Sequence, residues 1–447
     1  LVLIGYDPEL IQAYDLAGRF GTPLFRYFRG GHNLQGAEQE PLEEGAIVDW
    51  VADLAREGWV DAVAVSAYFS PLDNSHEERV YRALAAVTDL PIVLGHELSM
   101  DLDSVQRATT ATLNASLLTV LKDFITTVSA TLRRRGIDAP LMVVKGDGTL
   151  ARAESVARRP VETVHSGPAA SAVGAHFLSG LDRALVIDIG GTTTDLAVIE
   201  GGQVTVSDTG AMVGTYRTAI KGAALYSLGI GGDSHIRFEA DNRCAVGPRR
   251  VVPLAYLAHV HETVHRELLA LERRVIKEVS FDRLEYWFLV SPPPPALHRR
   301  HPAIGAVADL LAQAPRSLHD VLHHLGFFHR LQLPAAVREL VNGEVIGQAG
   351  LTPTDVEAAR AATIAACRLT ESHPEELLKT VLNQMTEIIV RAVLTFLSNK
   401  RFPPRPRWQS QDLGWWFFEN SLYPSHPYLE TRVALNMPII GIGAPAP

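Results

Sequence analysis

The chain has 447 residues, 47% of them hydrophobic and 20% charged, with a formal net charge of −9. That composition is globular, not disordered, and leaves room for two or more domains, each with its own core. The acidic balance gives no general attraction to nucleic acid or to an anionic membrane surface. Two cysteines, Cys244 and Cys367, make neither a disulfide framework nor a zinc set, and no apolar run reaches the roughly 18 residues of a membrane span. The expectation is a cytoplasmic protein without nucleic-acid or membrane partners.

The chain opens at Leu1 with LVLIGYDPEL, a core strand entering a turn, and stops at PIIGIGAPAP just after a strand and a Gly-rich turn. Both ends read as cuts through a fold. In the first 150 residues strand and helix signals alternate. Asp61–Ala67, Pro91–Gly95 and Pro140–Gly146 read as strands, and Glu43–Glu57, Ser75–Ala86 and about Asp103–Arg135 as helices. This alternation predicts an α/β layer architecture. A second unit begins near Leu150. Its small-residue helix, Gly167–Gly180, leads into the buried strand Ala184–Gly190. The strand TDLAVIE, the turn Gly201–Gly202 and the strand QVTVS then read as a hairpin. Beyond Arg250 the pattern is mostly helical, with a long helix over about Glu375–Ser398. Ser291–Pro302 and Arg401–Arg407 are proline-rich breaks. The domain expectation is therefore 1–149 and 150–447, with a mainly helical part at about 251–430.

The sharpest motif is DIGGTTTD, Asp188–Asp195. Gly190 and Gly191 let the backbone turn sharply and approach a ligand, and successive N–H groups there can form an anion-binding concavity. Thr192, Thr193 and Thr194 add hydroxyl donors. Asp188 and Asp195 can hold Mg²⁺ through water, because that ion keeps much of its hydration shell. In a P-loop or a dinucleotide fingerprint the Gly-rich turn opens a helix. Here it opens a second strand, the arrangement of the phosphate hairpin in an actin-like ATPase (ribonuclease H-like) fold.

With that motif in place, further segments resemble the hydantoinase/oxoprolinase family, of the hydantoinase A type. They are GHEL with RATTATLNA (Gly95–Leu98, Arg107–Ala115), LMVVKGDGTL (Leu141–Leu150), PVETVHSGPAASAVGA (Pro160–Ala175), LGIGGDS (Leu228–Ser234) and PIIGIGAPAP (Pro438–Pro447). The resemblance implies a two-lobed actin-like fold and ATP with Mg²⁺ as cofactors. It also implies a small cyclic-amide substrate of the 5-oxoproline or hydantoin type, activated by phosphoryl transfer to its carbonyl oxygen. The implied partner is a second hydantoinase-type subunit. Relatives include ATP-dependent ketone carboxylase subunits, and a nucleotide-binding subunit without chemistry is a further alternative. Family members usually carry another Gly-Gly-Thr motif on their first strand. None precedes Leu1, and truncation is the expectation.

By position, the resemblance makes Asp188 and Asp195 catalytic and metal-binding. It assigns Gly190, Gly191, Thr192, Thr193 and Thr194 to the phosphates, and Gly231, Gly232, Asp233 and Ser234 to a Gly-rich turn facing nucleotide or substrate. Gly441 and Gly443 match the adenosine turn. Candidate substrate contacts are Lys145 and Asp147 of KGDGT, with His32 of RGGH and His96 and Glu97 of GHEL near strand ends.

One competing constellation is HETVH, His261–His265, which matches H-E-x-x-H with Glu285 twenty residues further on. On a helix it could hold Zn²⁺ with Glu262 as base. Against this, the apolar stripe Leu254, Leu257, Val260, Val264, Leu268 and Leu271 makes both histidines ordinary surface neighbours of a core face. His319 and His323 of HDVLHH share a helix face in the same His-rich region.

Overall fold

The computed structural model describes residues 1–207, 209–238, 244–273, 280–293, 302–343, 345–358, 360–399, 420–421 and 432–443. The proline-rich break at 401–407, most of the one at 291–302, and the final residues 444–447 lie outside this set. The chain divides into two compact units, Leu1–Leu185 with Ala197–Leu225, and Val186–Leu196 with Tyr226–Pro447.

The first unit is built on a four-stranded sheet in the order Arg26–Phe28, Val2–Ile4, Val63–Ala67, Ile92–Leu94, with every neighbour parallel. Its two inner strands, Val2–Ile4 and Val63–Ala67, are buried at every residue because both faces are covered, whereas the edge strand Arg26–Phe28 exposes Arg26. Val2, Ile4, Val63 and Val65 pack on Ile47 and Val51 of the helix Glu44–Glu57 and on Val80 and Leu84 of Ser75–Ala85. One residue out of phase, Leu3 joins Tyr6, Phe20 and Ala108, and Ala64 and Val93 join Leu98, Ala111 and Ala115. The period of two along each strand thus feeds two separate cores.

Ala108, Ala111 and Ala115 belong to the 31-residue helix Ser104–Arg134, started by Asp103, whose side chain accepts from the Gln106 N–H. Small residues let its first half lie close under the sheet, while Val120 and Phe124 further along are exposed. This helix and Pro374–Ser398 are long and apolar enough to cross a membrane by length and composition, at mean hydropathy 1.3 and 1.2. Core helices of soluble proteins pass the same test.

A five-stranded sheet runs in the order Tyr226–Leu228, Thr194–Glu200, Arg183–Ile189, Ile439–Ile442, with Gln203–Val204 also paired to Thr194–Glu200. Together with the parallel sheet it gives the mixed α/β architecture expected, including the strand–loop–strand hairpin of the actin-like type.

Beyond Arg250 the described residues are mainly helical, as expected, with a small sheet that the sequence reading did not foresee. A four-stranded sheet is present there, in the order Val252–Pro253, Ile346–Gly350, Tyr286–Leu289, Arg316–Ser317. Its strands are short, and one is masked in sequence by glycines that make room for neighbours. A Cβ on Gly347 would lie 2.3 Å from Phe288 Cζ.

The stretch from Leu254 to Arg273 is also two helices, Leu254–Val260 and Glu262–Arg273. His261 between them is extended, at φ −123° and ψ 100°. Its N–H closes the first helix on Leu257 O at 2.9 Å, and its carbonyl accepts from the Val264 N–H at 3.0 Å to open the second. Leu254, Leu257, Val264, Leu268 and Leu271 form the core stripe, but the break turns Val260 out to solvent. The first helix has no cap of its own at Pro253. Asp355 supplies one, accepting from the N–H groups of Leu254 at 3.0 Å and Ala255 at 2.8 Å.

Candidate phosphate-binding hairpin

Strand Arg183–Ile189 buries Ala184, Leu185 and Val186 and delivers Asp188, half-buried, to its end. The Gly190 N–H then donates to Thr193 O at 2.8 Å, closing a tight loop before Thr194–Glu200. The second Gly-rich segment grips this loop through the backbone. The Gly232 N–H donates to Gly190 O at 3.0 Å and the Asp233 N–H to Gly191 O at 2.7 Å.

The approach is so close that side chains have no room. A Cβ on Gly231 would lie 2.4 Å from Gly190 O, and one on Gly443, at φ +103°, would lie 2.1 Å from Ile189 O. Gly231 and Gly443 therefore lie against the loop's own backbone, where glycine is a packing requirement, and Gly232 is tied to the loop by its N–H. Gly441 lies within the strand Ile439–Ile442.

Two expected hydroxyl donors point elsewhere. Thr194 is fully buried, and its Oγ1 donates to Ile230 O at 2.8 Å. Ser234 is buried, and its Oγ accepts from the Gly231 N–H at 2.9 Å. Both shape the loop from behind instead of facing a ligand. Asp233 is likewise engaged, with Arg250 Nη2 at 3.2 Å from its Oδ2. Thr354, which the sequence reading missed, donates its N–H and its hydroxyl to Gly232 O at 3.1 and 2.9 Å.

The open face of the loop carries Gly191 and Thr192, both exposed, with half-buried Thr193 donating to Asp195 Oδ2 at 3.1 Å. Among the described residues the amides of Gly191 and Thr192 make no hydrogen bond. Two free N–H groups, a free hydroxyl and the flanking carboxylates Asp188 and Asp195 make a site for phosphate oxygens with a hydrated divalent cation. That donor set fits ATP and Mg²⁺.

The first unit has a polar cluster at the C-terminal ends of its parallel strands, where α/β folds place ligands. His32 and His76 face each other with ring centroids 4.3 Å apart. His76 Nδ1 accepts from the Gly31 N–H at 2.9 Å, so Nε2 carries the proton and donates to Glu38 Oε1 at 2.9 Å. His32 Nε2 lies 3.3 Å from Ser75 Oγ and 3.4 Å from Asp73 Oδ1. Burial and the neighbouring His76 lower its pKa.

Glu77, unnoticed in the sequence, is fully buried. It accepts from the N–H groups of Ala67 at 2.7 Å and His96 at 3.0 Å, and from His96 Nδ1 at 2.6 Å. Burial disfavours the charged His96 imidazole, but Glu77, Glu97 and Glu78 outweigh it and raise the pKa. Glu97 itself is exposed, and its carbonyl accepts from Arg159. Arg107, also missed, is fully buried and donates to the carbonyls of Asp101, Ala67 and Tyr68.

Lys145 and Asp147 line a separate cavity of about 320 Å³ with Glu162, within the same unit. Lys145 Nζ lies 3.4 Å from both carboxylates, and Asp147 is held below the usual carboxylate range, against the effect of burial, by bonds from Thr149 and the charge of Lys145.

The zinc reading of HETVH loses its basis, since His261 stands at a helix break and not on a helix with His265. Glu285 is engaged elsewhere, by Trp287, Gln348 and Arg330. Among the described residues no three His, Cys, Asp or Glu side chains converge as a metal site. His319 Nε2 faces Arg283 Nη2 at 2.8 Å.

Residues 107–253 match the family model for Hydantoinase/oxoprolinase, and residues 24–88 match that for the Hydantoinase/oxoprolinase N-terminal region. The chain is 30% identical to the caprolactamase alpha subunit of Pseudomonas jessenii over 248 residues, 55% of this chain and 35% of that protein. It is 24% identical to the acetophenone carboxylase gamma subunit of Aromatoleum aromaticum, over 48% of this chain and 30% of that protein. A crystal structure of ATP-dependent caprolactamase from Pseudomonas jessenii aligns at 28% identity and a TM-score of 0.46, covering 60% of this chain and 42% of that one. The chain thus spans about a third of the length of the curated relatives it matches.

Proposed function

We propose that the chain, which matches the hydantoinase/oxoprolinase family models over residues 24–88 and 107–253, is the ATP-binding subunit of an enzyme that opens a cyclic amide. The observation that carries the reading is the open face of the Gly190–Thr193 loop, with free amides between two carboxylates. In this reading the amides of Gly191 and Thr192 and the Thr192 hydroxyl hold phosphate oxygens, and Asp188 and Asp195 hold Mg²⁺ through water. A phosphoryl group from ATP held there would pass to the amide oxygen of the substrate, with ADP leaving. Water then adds to that carbon, its C–N bond breaks to free the amine and leave an acyl phosphate, and a second water releases phosphate and the carboxylate. Chemistry of this kind needs positioning and charge neutralisation more than a protein nucleophile, which suits a loop made of backbone donors and carboxylates.

A partner subunit belongs to the proposal, because two matched relatives are named as subunits. A second reading, an ATP-dependent ketone carboxylase subunit, is favoured by the match to the acetophenone carboxylase gamma subunit. Phosphate release from ATP separates the two. Stimulation by a hydantoin, 5-oxoproline or a lactam supports ring opening. Stimulation by bicarbonate with a ketone instead overturns it in favour of the carboxylase, and stimulation by neither leaves a nucleotide-binding subunit without chemistry.

A further inference from the structure

Asp233 holds an arginine against the phosphate loop. Its own N–H is tied to Gly191 O at 2.7 Å, and its Oδ2 stands so close to Gly191 that a Cβ there would lie 2.8 Å from it. Arg250 Nη2 and Nε lie 3.2 and 3.3 Å from that same oxygen. The guanidinium is thus one carboxylate away from exposed Gly191, and all of these residues belong to one unit.

The backbone beneath the guanidinium is fixed as well. Arg250 ends the strand Cys244–Arg250 and pairs across it with Ser234, and the next amide, the Val251 N–H, donates to Asp233 O at 3.1 Å. Side chains alternate along a strand. Arg249 therefore turns to the opposite face, where its charge acts on His235, and of the two arginines Arg250 is the one directed at the loop.

What the guanidinium has left to offer points to a phosphate. Nε and one hydrogen of Nη2 are spent on Asp233. The remaining edge, Nη1 with the second hydrogen of Nη2, makes no hydrogen bond among the described residues. Such an edge carries two parallel N–H groups, spaced for two oxygens of one phosphate. The Arg250 side chain is 62% exposed, so a ligand can reach it, whereas that of Asp233 is 20% exposed. Charge argues the same way. Asp188, Asp195 and Asp233 surround the loop with carboxylates, and a polyphosphate seated on the Gly191 and Thr192 amides brings more negative charge than one divalent cation balances. A guanidinium fixed beside the loop offsets it.

We propose that Arg250 is a phosphate-binding residue of the hairpin. Its free edge takes two non-bridging oxygens of a phosphate held by the loop amides, and Asp233 is a positioning residue that aims the guanidinium. The assignment rests on the ATP-binding reading above and adds to it a cation that lies outside both Gly-rich segments. Asp233 serves the nucleotide through Arg250, not by a contact of its own.

Calorimetric titration of the full chain with MgATP and, separately, with magnesium tripolyphosphate tests this. Arg250→Gln binds both ligands at least about tenfold more weakly than the parent, with an unchanged thermal midpoint. Arg250→Lys, which keeps the charge but not the fork, falls between the two. Arg249→Gln binds as the parent does. Asp233→Asn weakens binding in the parent but adds no further loss in Arg250→Gln, because the two residues act as a unit. If Arg250→Gln fails to fold, Arg250→Lys carries the expectation of a loss that Arg249→Lys does not share. Parental affinity in Arg250→Gln, or an equal loss in Arg249→Gln, would overturn the assignment. A parent that binds tripolyphosphate but not MgATP, with the loss still seen in Arg250→Gln, would instead sink the ATP reading and leave Arg250 in place. A parent that binds neither overturns both.

Discussion

One methyl group at Gly231 would place a carbon 2.4 Å from Gly190 O and 2.6 Å from Gly191 O. Both obstacles are backbone, so the loop itself must move. Gly231→Ala is expected to cost about 1–3 kcal/mol of stability and at least about tenfold in nucleotide affinity. Chemical denaturation and calorimetry read the two effects, and an alanine variant matching the parent in both would show that the grip on the loop is dispensable. At this scale the sequence revealed the residue types and concealed their directions. The tight turn at Gly190–Gly191 between two strands was legible, because paired glycines between apolar runs mark such a turn. The inward turn of Thr194 follows from strand alternation, which puts Thr193 and Asp195 on one face and Thr194 on the other. The grip of Gly231 and Gly443 was not legible, because it depends on segments more than 30 residues and more than 240 residues away in the chain.

Among elements, the helix Ser104–Arg134 does the most for the first unit. Arg107 sits in its first turns, and its guanidinium satisfies three carbonyls around the end of the strand Val63–Ala67. Arg107→Leu leaves those carbonyls without donors and is expected to destabilise the unit by about 3 kcal/mol, on the scale of one to three unsatisfied buried groups. A shift below about 0.5 kcal/mol in denaturation would contradict this.

The short helix Gly95–Leu98 makes the pH dependence testable. His96 has a raised pKa in the folded state, so its contribution is fully present below its ordinary value of 6.5. It is lost as pH rises through the folded value. The thermal midpoint of the parent should therefore lose more between pH 6 and pH 8 than that of His96→Gln, and equal losses would remove His96 from the account. Helix spans were read well from their period of 3.6, as in Glu44–Glu57 and Ser75–Ala85. The break at His261 was not, since the apolar stripe continues through it and the cap comes from Asp355, about 100 residues on. Glu77 was hidden for a similar reason, lying in the charged run HEER that reads as solvated surface.

For the whole molecule, the α/β alternation and the hairpin were visible because each depends on local pattern. The division into units was not, because Val186–Leu196 is grouped with residues beyond Tyr226 through pairing that no local pattern encodes. The sheet beyond Arg250 escaped because its strands are only two to five residues long. The central claim is that the open face of the Asp188–Asp195 hairpin holds the phosphates of ATP with Mg²⁺. Calorimetric titration of MgATP into the parent and into Asp188→Asn and Asp195→Asn tests it most directly. The account predicts one-to-one binding by the parent and at least a tenfold loss in each variant, with thermal midpoints little changed. Equal affinity in all three proteins, or no binding by the folded parent, would contradict it.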